Sequence, residues 1–335
     1  MLLERQYPSM VKFIEFCRKR SVDGVLPPPQ YHAFGDWLSI KADTPKDVIY
    51  TAYYAHSTQL TARAAEVLGK AEDARTYNAL FERIKAAFNK AFVAADGRIQ
   101  GETQAVYVLA LAFDLLDADQ AKAAARHLLA DIRSKNHHLS TGFIGTKDLM
   151  LVLSKIGATD VAYRLLHNTS FPSWGFSIEH GATSIWERWD GWTPEKGFQD
   201  PGMNSFAHYS FGAVYQWMVE NIGGILADAP SYRSVTVAPV IDPKLTHAEV
   251  SYNSVRGLIV SRWSRSGDGT LNLDAIIPAN TMGRVVIPAP AGATVEESGV
   301  PLAEVKGLRV VEAEGGKVTV KVGSGHYRFK VSPRN

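Results

Sequence analysis

Apolar residues recur every three or four positions through the first two thirds of the chain and every second position through the last third. The first pattern predicts helices. Over residues 2–20, Met10, Phe13, Ile14 and Cys17 share one side of a helix. Pro27, Pro28 and Pro29 then exclude helix, and the loop they begin delivers His32 and the Gly35-Asp36-Trp37 triplet. Thr44-Pro45-Lys46-Asp47 reads as a helix start, with Thr44 as N-cap, Pro45 in the first turn and Asp47 answering as in a capping box. That helix is expected to end at Gly69. Tyr77, Leu80, Phe81, Ile84 and Phe88 mark the next apolar stripe, closed by a turn at Asp96-Gly97. Further helices are expected near 103–116, 118–133, 146–156 and 159–167. A last one is expected over 203–221, with Phe206, Tyr209, Ala213 and Trp217 on one side.

Gly223-Gly224 marks the change of period, which divides the chain into a helical domain, 1–224, and a β domain, 225–335. Val318, Val320 and Val322 alternate with Lys317, Thr319 and Lys321, and Tyr327, Phe329 and Val331 repeat the alternation. Ile259, Ser261 and Trp263 run into a Gly267-Asp268-Gly269 turn and on to Leu271 and Leu273, and Gly315-Gly316 is a second hairpin candidate. Short strands at regular intervals predict an antiparallel β-sandwich.

Composition narrows the function by exclusion. A length of 335 residues suits two domains, and a net charge of +2 gives no reason to expect nucleic acid or an acidic membrane surface as partner. Cys17 is the single cysteine, so no intrachain disulfide can form. No run of 18 apolar residues exists, and the opening residues carry charge at once without an apolar core of a signal peptide, so the expected location is cytoplasmic. Zinc-type Cys/His spacing, a phosphate-binding loop and a nucleophile elbow are all missing, and no metal or cofactor is expected.

The positive signal is concentrated between Trp174 and Trp192. Four of the chain's seven tryptophans, Trp174, Trp186, Trp189 and Trp192, lie there with Glu179, Glu187 and Asp190. Aromatic faces beside carboxylates suit a sugar, whose C–H surface stacks while its hydroxyls bond and its oxygens exchange protons. A buried aromatic cluster with Arg188 and Asp190 ion-paired at the surface is the alternative. Trp186 and Trp189 are one turn apart on any helical segment and would then share a face.

Residues 181–191 (GATSIWERWDG) resemble the catalytic-base signature of bacterial α-L-rhamnosidases, inverting glycosidases built on an (α/α)6 barrel. Residues 35–38 (GDWL), 140–146 (STGFIGT), 162–166 (AYRLL) and 203–217 (MNSFAHYSFGAVYQW) are similar to further motifs of that family, in the same order. The resemblance implies a partial six-hairpin barrel followed by the β-sandwich, and a rhamnose-containing glycoside or oligosaccharide as partner. It implies Glu187 as general base, His208 in the pocket as a hydrogen-bonding group, Asp36 and Trp37 as pocket wall with Trp37 against the sugar ring, and Trp186 or Trp189 as lining. Inverting hydrolysis needs a second carboxyl group as acid, roughly 6.5–9.5 Å from the base, to leave room for water. The family places that acid in an Asp-Glu-Arg-Leu-Gly-Trp type of motif, and no such string occurs in these residues. The chain therefore reads as lacking the N-terminal part of the barrel, about a third of its helices. Two readings stay open, a glycoside hydrolase and a non-catalytic carbohydrate-binding or structural remnant. Exposed helix flanks on an incomplete barrel further predict a homo-oligomer.

Overall fold

A computed structural model describes residues 2–29 and 33–333; His32 lies outside the described residues. The chain forms two compact units, residues 1–213 and 214–335.

In the first unit, α1 (Leu2–Arg20), α2 (Lys46–Val67), α3 (Ala71–Phe92), α4 (Gln104–Ala112), α5 (Ala118–Ser134), α6 (Phe143–Lys155) and α7 (Thr159–Leu166) follow one another through short connections. Three consecutive pairs, α2/α3, α4/α5 and α6/α7, pack as helical hairpins, and α4 also packs against α2 and α6. The first member of each pair is therefore the inner helix. Its sequence shows this: every residue from Gln104 to Leu111 in α4 is buried, whereas α3 buries only one stripe that includes Tyr77, Leu80, Phe81, Ile84 and Phe88. In α2 the inner positions are small or hydroxylated, and the buried Thr58 and Thr61 hydroxyls donate to the carbonyls of Tyr54 and Ser57 within the same helix. Burial on all sides is what leaves α2 and α4 without a clear polar face.

Local signals fared unevenly. The capping box expected at Thr44 is absent. Pro45 occupies the N-cap position of α2, Thr44 Oγ1 shares a hydrogen bond with Thr103 Oγ1 at 2.8 Å, and Asp47 accepts from the adjacent Val48 N–H. A full capping box stands instead at α5, where Asp117 accepts from Asp119 and Gln120 amides and the Gln120 side chain accepts from Asp117 N–H.

Beyond α7 the first unit turns irregular. A short α8 (Trp174–Glu179) is followed by loops that carry a two-stranded hairpin, β1 (Trp192–Thr193) and β2 (Gly197–Phe198). Two expectations fail here. Residues 181–191 are not helical, so Trp186 and Trp189 need not share a face. Nor is 203–221 one helix: a 3-10 turn ends at Met203, residues 204–209 are irregular, and helical backbone starts only at Ser210. It continues as a second 3-10 turn to Ala213, α9 (Val214–Trp217) and a π turn at Met218–Ile222. His208 therefore sits on a loop rather than on a helix.

The second unit holds strands β3 (Ile225–Ala227), β4 (Ser234–Val237), β5 (His247–Ser254), β6 (Gly257–Arg265), β7 (Leu271–Ile277), β8 (Met282–Pro288), β9 (Thr294–Glu297), β10 (Val300–Pro301), β11 (Arg309–Glu314), β12 (Lys317–Val322) and β13 (Gly325–Ser332). They form a six-stranded sheet in the order β10-β9-β13-β7-β6-β5 and a five-stranded sheet in the order β11-β12-β8-β4-β3. Alternate residues bury one face of each sheet: Trp263, Leu273 and Phe329 on the first, and Val235, Val285, Ile287 and Val320 on the second. Pairing is antiparallel with one exception, the parallel pair β4/β8, in which Ser234 opposes Met282. Gly315 and Gly316 form the two-residue β11/β12 turn, and both adopt positive φ, +60° and +75°, as such a turn demands.

Candidate active site

Glu187 and His208 lie on two irregular segments that run side by side. Glu187 N–H donates to Ser205 O at 2.8 Å, and His208 N–H donates to Ile185 O at 2.8 Å. The Ser184 hydroxyl donates to Phe206 O between them. Ser205 N–H then donates to Glu187 Oε2 at 2.8 Å, which fixes the half-buried carboxylate against the opposite strand-like segment. Among the described residues, Glu187 Oε1 makes no protein hydrogen bond. The His208 ring stacks on Phe143 with centroids 5.0 Å apart and on Tyr209 at 5.2 Å. Ser210 N–H donates to His208 Nδ1 at 3.3 Å. An amide can only donate, so the ring proton resides on Nε2, which is left as a hydrogen-bond donor.

Phe143 links this pair to the Asp36-Trp37 motif, because its N–H donates to Trp37 O at 2.9 Å. Asp36 is buried, and both of its oxygens are engaged: Gly142 N–H reaches Oδ2 at 2.9 Å and Gly145 N–H reaches Oδ1 at 3.0 Å. Those amides belong to the N-terminal end of the α6 backbone, where N–H groups without a partner inside the helix attract a carboxylate. Burial nevertheless pushes Asp36 above the usual carboxylate range, with the amide bonds opposing that rise. Gly142 is required at this crossing, since a Cβ there would lie 2.1 Å from Trp37 O and 2.4 Å from Asp36 O. Asp36 thus fastens the loop that carries Trp37, which is half-buried and meets Phe34 edge to face at 5.0 Å. Nearby on α2, the Tyr53 hydroxyl is pushed up to about 12, chiefly by burial and then by the charges of Asp148 and Asp36.

Trp186 and Trp189 point to different partners. Trp186 meets Phe206 edge to face at 5.1 Å. Trp189 stacks on Phe211 at 4.0 Å, meets Trp174 edge to face at 5.3 Å and donates its indole N–H to Thr141 O at 3.0 Å. Arg188 and Asp190 form an ion pair at 3.0 Å, as the alternative to a sugar site foresaw for those two residues. A cavity of about 350 Å³ is lined by Trp174, Ile178, Trp186, Arg188 and Trp189. A second, of about 290 Å³, is lined by Trp186, Trp192, Phe198 and Phe206. Glu187 lines neither cavity. The contributions of Phe143 and Ser205 were missed in the sequence. Phe143 carried no signal apart from its place in the 140–146 motif, and Ser205 acts through its backbone, which no side-chain pattern reports. Among the described residues, no group of three His, Cys, Asp or Glu side chains is placed to hold a metal ion.

A carboxylate held by one amide, an imidazole N–H donor and aromatic faces form a set suited to orienting hydroxyls and polarising water. The family model described as the bacterial alpha-L-rhamnosidase 6 hairpin glycosidase domain matches residues 1–222, and that described as the bacterial alpha-L-rhamnosidase C-terminal domain matches residues 224–300. An alpha-L-rhamnosidase of Streptomyces avermitilis is 45% identical over 324 residues, covering 97% of this chain and 30% of the relative. One from Formosa agariphila is 36% identical over 338 residues, covering 98% of this chain and 36% of the relative. The crystal structure of the Streptomyces avermitilis alpha-L-rhamnosidase complexed with L-rhamnose superimposes with a TM-score of 0.90 at 43% identity, over 98% of this chain and 31% of that one. The alpha-L-rhamnosidase from Dictyoglumus thermophilum gives 0.88 at 28% identity, over 99% and 37%. The chain thus spans about a third of the length of these relatives.

Proposed function

This chain belongs to the bacterial α-L-rhamnosidase family, and from that premise we propose that it is the part of a glycoside hydrolase that removes terminal α-L-rhamnose with inversion. The observation that carries the reading is the Glu187 carboxylate, held by Ser205 N–H on one oxygen with the other unclaimed, beside a histidine whose Nε2 proton points away from its own backbone bond. In this reading Glu187 Oε1 takes a proton from the attacking water as general base. His208 Nε2–H donates to a sugar hydroxyl and so orients the ring. Trp37 stacks against the rhamnose, whose methyl group favours an apolar wall. Asp36 acts as a positioning residue that ties the Trp37 loop to the start of α6. Trp186 closes the site from the loop, and Trp189 supports that loop from its buried side.

No residue of this chain is assigned as the acid that protonates the leaving oxygen. The test follows from that. A nitrophenyl α-L-rhamnoside has a good leaving group and depends least on an acid, so turnover of this substrate reports the base alone. Glu187→Gln is expected to lower it by about 10²-fold or more, the usual contribution of general base catalysis. Turnover that survives the substitution overturns the assignment. Rhamnose binding without any turnover selects the non-catalytic sugar-binding reading. We also propose Gly224 as the domain boundary and a homo-oligomer formed through the helical unit, where Leu2, Phe13 and Phe16 of α1 are more than half exposed; light scattering that finds only monomer rejects the second point.

A further inference from the structure

The hairpin β1/β2 carries two aromatic rings, one half-buried and one exposed. Trp192 and Phe198 oppose one another across it, and Phe198 is 72% exposed. An exposed ring on a flexible loop would signify little, but this hairpin is held on several sides. Gln199 N–H donates to Gly191 O at 3.1 Å, the Asn204 amide donates to the same carbonyl at 2.8 Å, and the Gln199 side chain donates to Asp190 at 3.0 Å. Asp190 is in turn gripped by Arg188. The rings are thus presented in a fixed geometry, which lowers the entropic cost of binding to them.

Together with Phe206 and Trp186 they line the cavity of about 290 Å³. Phe198 meets Phe206 edge to face at 5.6 Å, which sets one wall at right angles to another. The polar groups sit at the same cavity. His180 Nδ1 lies 2.7 Å from Phe176 O and must donate to it, so in the neutral ring Nε2 presents a lone pair. The Thr183 hydroxyl lies on an exposed part of the lining. Flat apolar walls with an acceptor and a hydroxyl suit an amphipathic ring with one C–H face and a hydroxylated edge. The cavity lies at the small end of ligand-site volumes, which suits a single ring. It also shares its backbone with the Glu187 site, since Trp186 precedes Glu187 and Phe206 follows Ser205, the residue that holds the Glu187 carboxylate.

We infer that the Trp192–Phe198 cavity is a second sugar subsite, which holds the pyranose ring joined to the rhamnose at Glu187. The inference rests on the glycosidase reading given above. It is tested by binding rather than turnover, with the Glu187→Gln protein titrated calorimetrically against L-rhamnose and against a rhamnose-terminated disaccharide. Adding Trp192→Ala is expected to weaken disaccharide binding about threefold to tenfold, the range of one aromatic stacking contact, and to leave L-rhamnose binding unchanged. Trp192→Phe should restore most of the loss. Phe198→Ala is the companion variant, because removing a 72% exposed ring leaves folding intact and still strips one wall. Disaccharide binding that ignores both variants, or an equal loss for both sugars, overturns the subsite. Loss for nitrophenyl rhamnoside alone assigns the cavity to an aromatic aglycone and overturns the sugar. If neither sugar binds the Glu187→Gln protein at all, the glycosidase reading itself fails; if rhamnose binds but Trp192 is irrelevant, only this inference does.

Discussion

Trp189 and Trp263 are buried alike, at 2% and 1% exposure, and each donates its indole N–H to a backbone carbonyl, Thr141 O at 3.0 Å and Ile222 O at 2.8 Å. Their backbones are held in opposite ways. Trp263 sits in the middle of β6, paired to Ala248 of β5 and to Leu273 of β7, so ladder hydrogen bonds fix its path whatever the side chain is. Trp189 lies on a loop with no ladder. Its path depends on isolated backbone bonds, such as Glu187 N–H to Ser205 O, and on side chains: its own stack on Phe211, the Asn204 amide on Gly191 O and the Glu187 carboxylate on Ser205 N–H. A segment of that kind can place a carboxylate and a histidine at positions that no regular element offers. The cost is that a few isolated hydrogen bonds and side-chain contacts hold the whole arrangement.

The sharpest test of that contrast is to truncate both tryptophans. Trp189→Ala and Trp263→Ala are each expected to cost about 3–5 kcal/mol in denaturant unfolding, as for other buried large-to-small changes. Only Trp189→Ala is expected to reduce nitrophenyl rhamnoside turnover beyond the loss of folded protein, measured under conditions where both variants remain folded. Equal effects on turnover would break the comparison. A smaller effect is expected at Asp36, which does for the α6 end what a ladder does for a strand. Asp36→Ala leaves the Gly142 and Gly145 amides without their partner, a loss of about 1–3 kcal/mol. If Asp36 only positions Trp37, KM for the aryl substrate should rise more than kcat falls; a fall in kcat alone would place Asp36 in the chemistry instead.

The smallest effect concerns His56, on the inner helix α2. Its ring stacks on Phe113 at 4.0 Å, and burial, followed by the Lys147 charge, holds its pKa below the ordinary histidine value. The folded state therefore favours the neutral ring more than the unfolded chain does. The resulting stability is complete above the ordinary histidine pKa and is lost as pH falls through the depressed one. The unfolding midpoint should decline over that window, and His56→Gln should flatten the decline. An unchanged slope would show that other groups carry the acid sensitivity.

Much of this was legible in the chain. The stripe from Tyr77 to Phe88 gave α3, and the alternation through Val318–Val322 gave β12, because a repeated local period leaves one consistent face to bury. The Gly315-Gly316 turn could be read from two residues, since few others adopt the positive φ it needs. Thr44 misled because its hydroxyl found a distant partner, Thr103, in place of the local amide. The 203–221 stretch misled because its aromatic spacing arises from contacts with neighbouring segments: Phe206 packs on Trp186 and Phe198.

The sequence alone determined the succession of helices α1 to α7, the alternation behind β6, β7, β12 and β13, the change of period near Gly224 and which stretch bears Glu187, since each rests on residues close together in the chain. Only the tertiary structure decided that Glu187 faces Ser205 N–H, that His208 rests on Phe143 and lies on a loop, and that Asp36 binds amides 106 and 109 residues away. Those contacts pair a side chain with a distant backbone group or ring. A backbone N–H is the same in every residue but proline, so the sequence carries no mark of which amide a carboxylate will meet until the helices are packed.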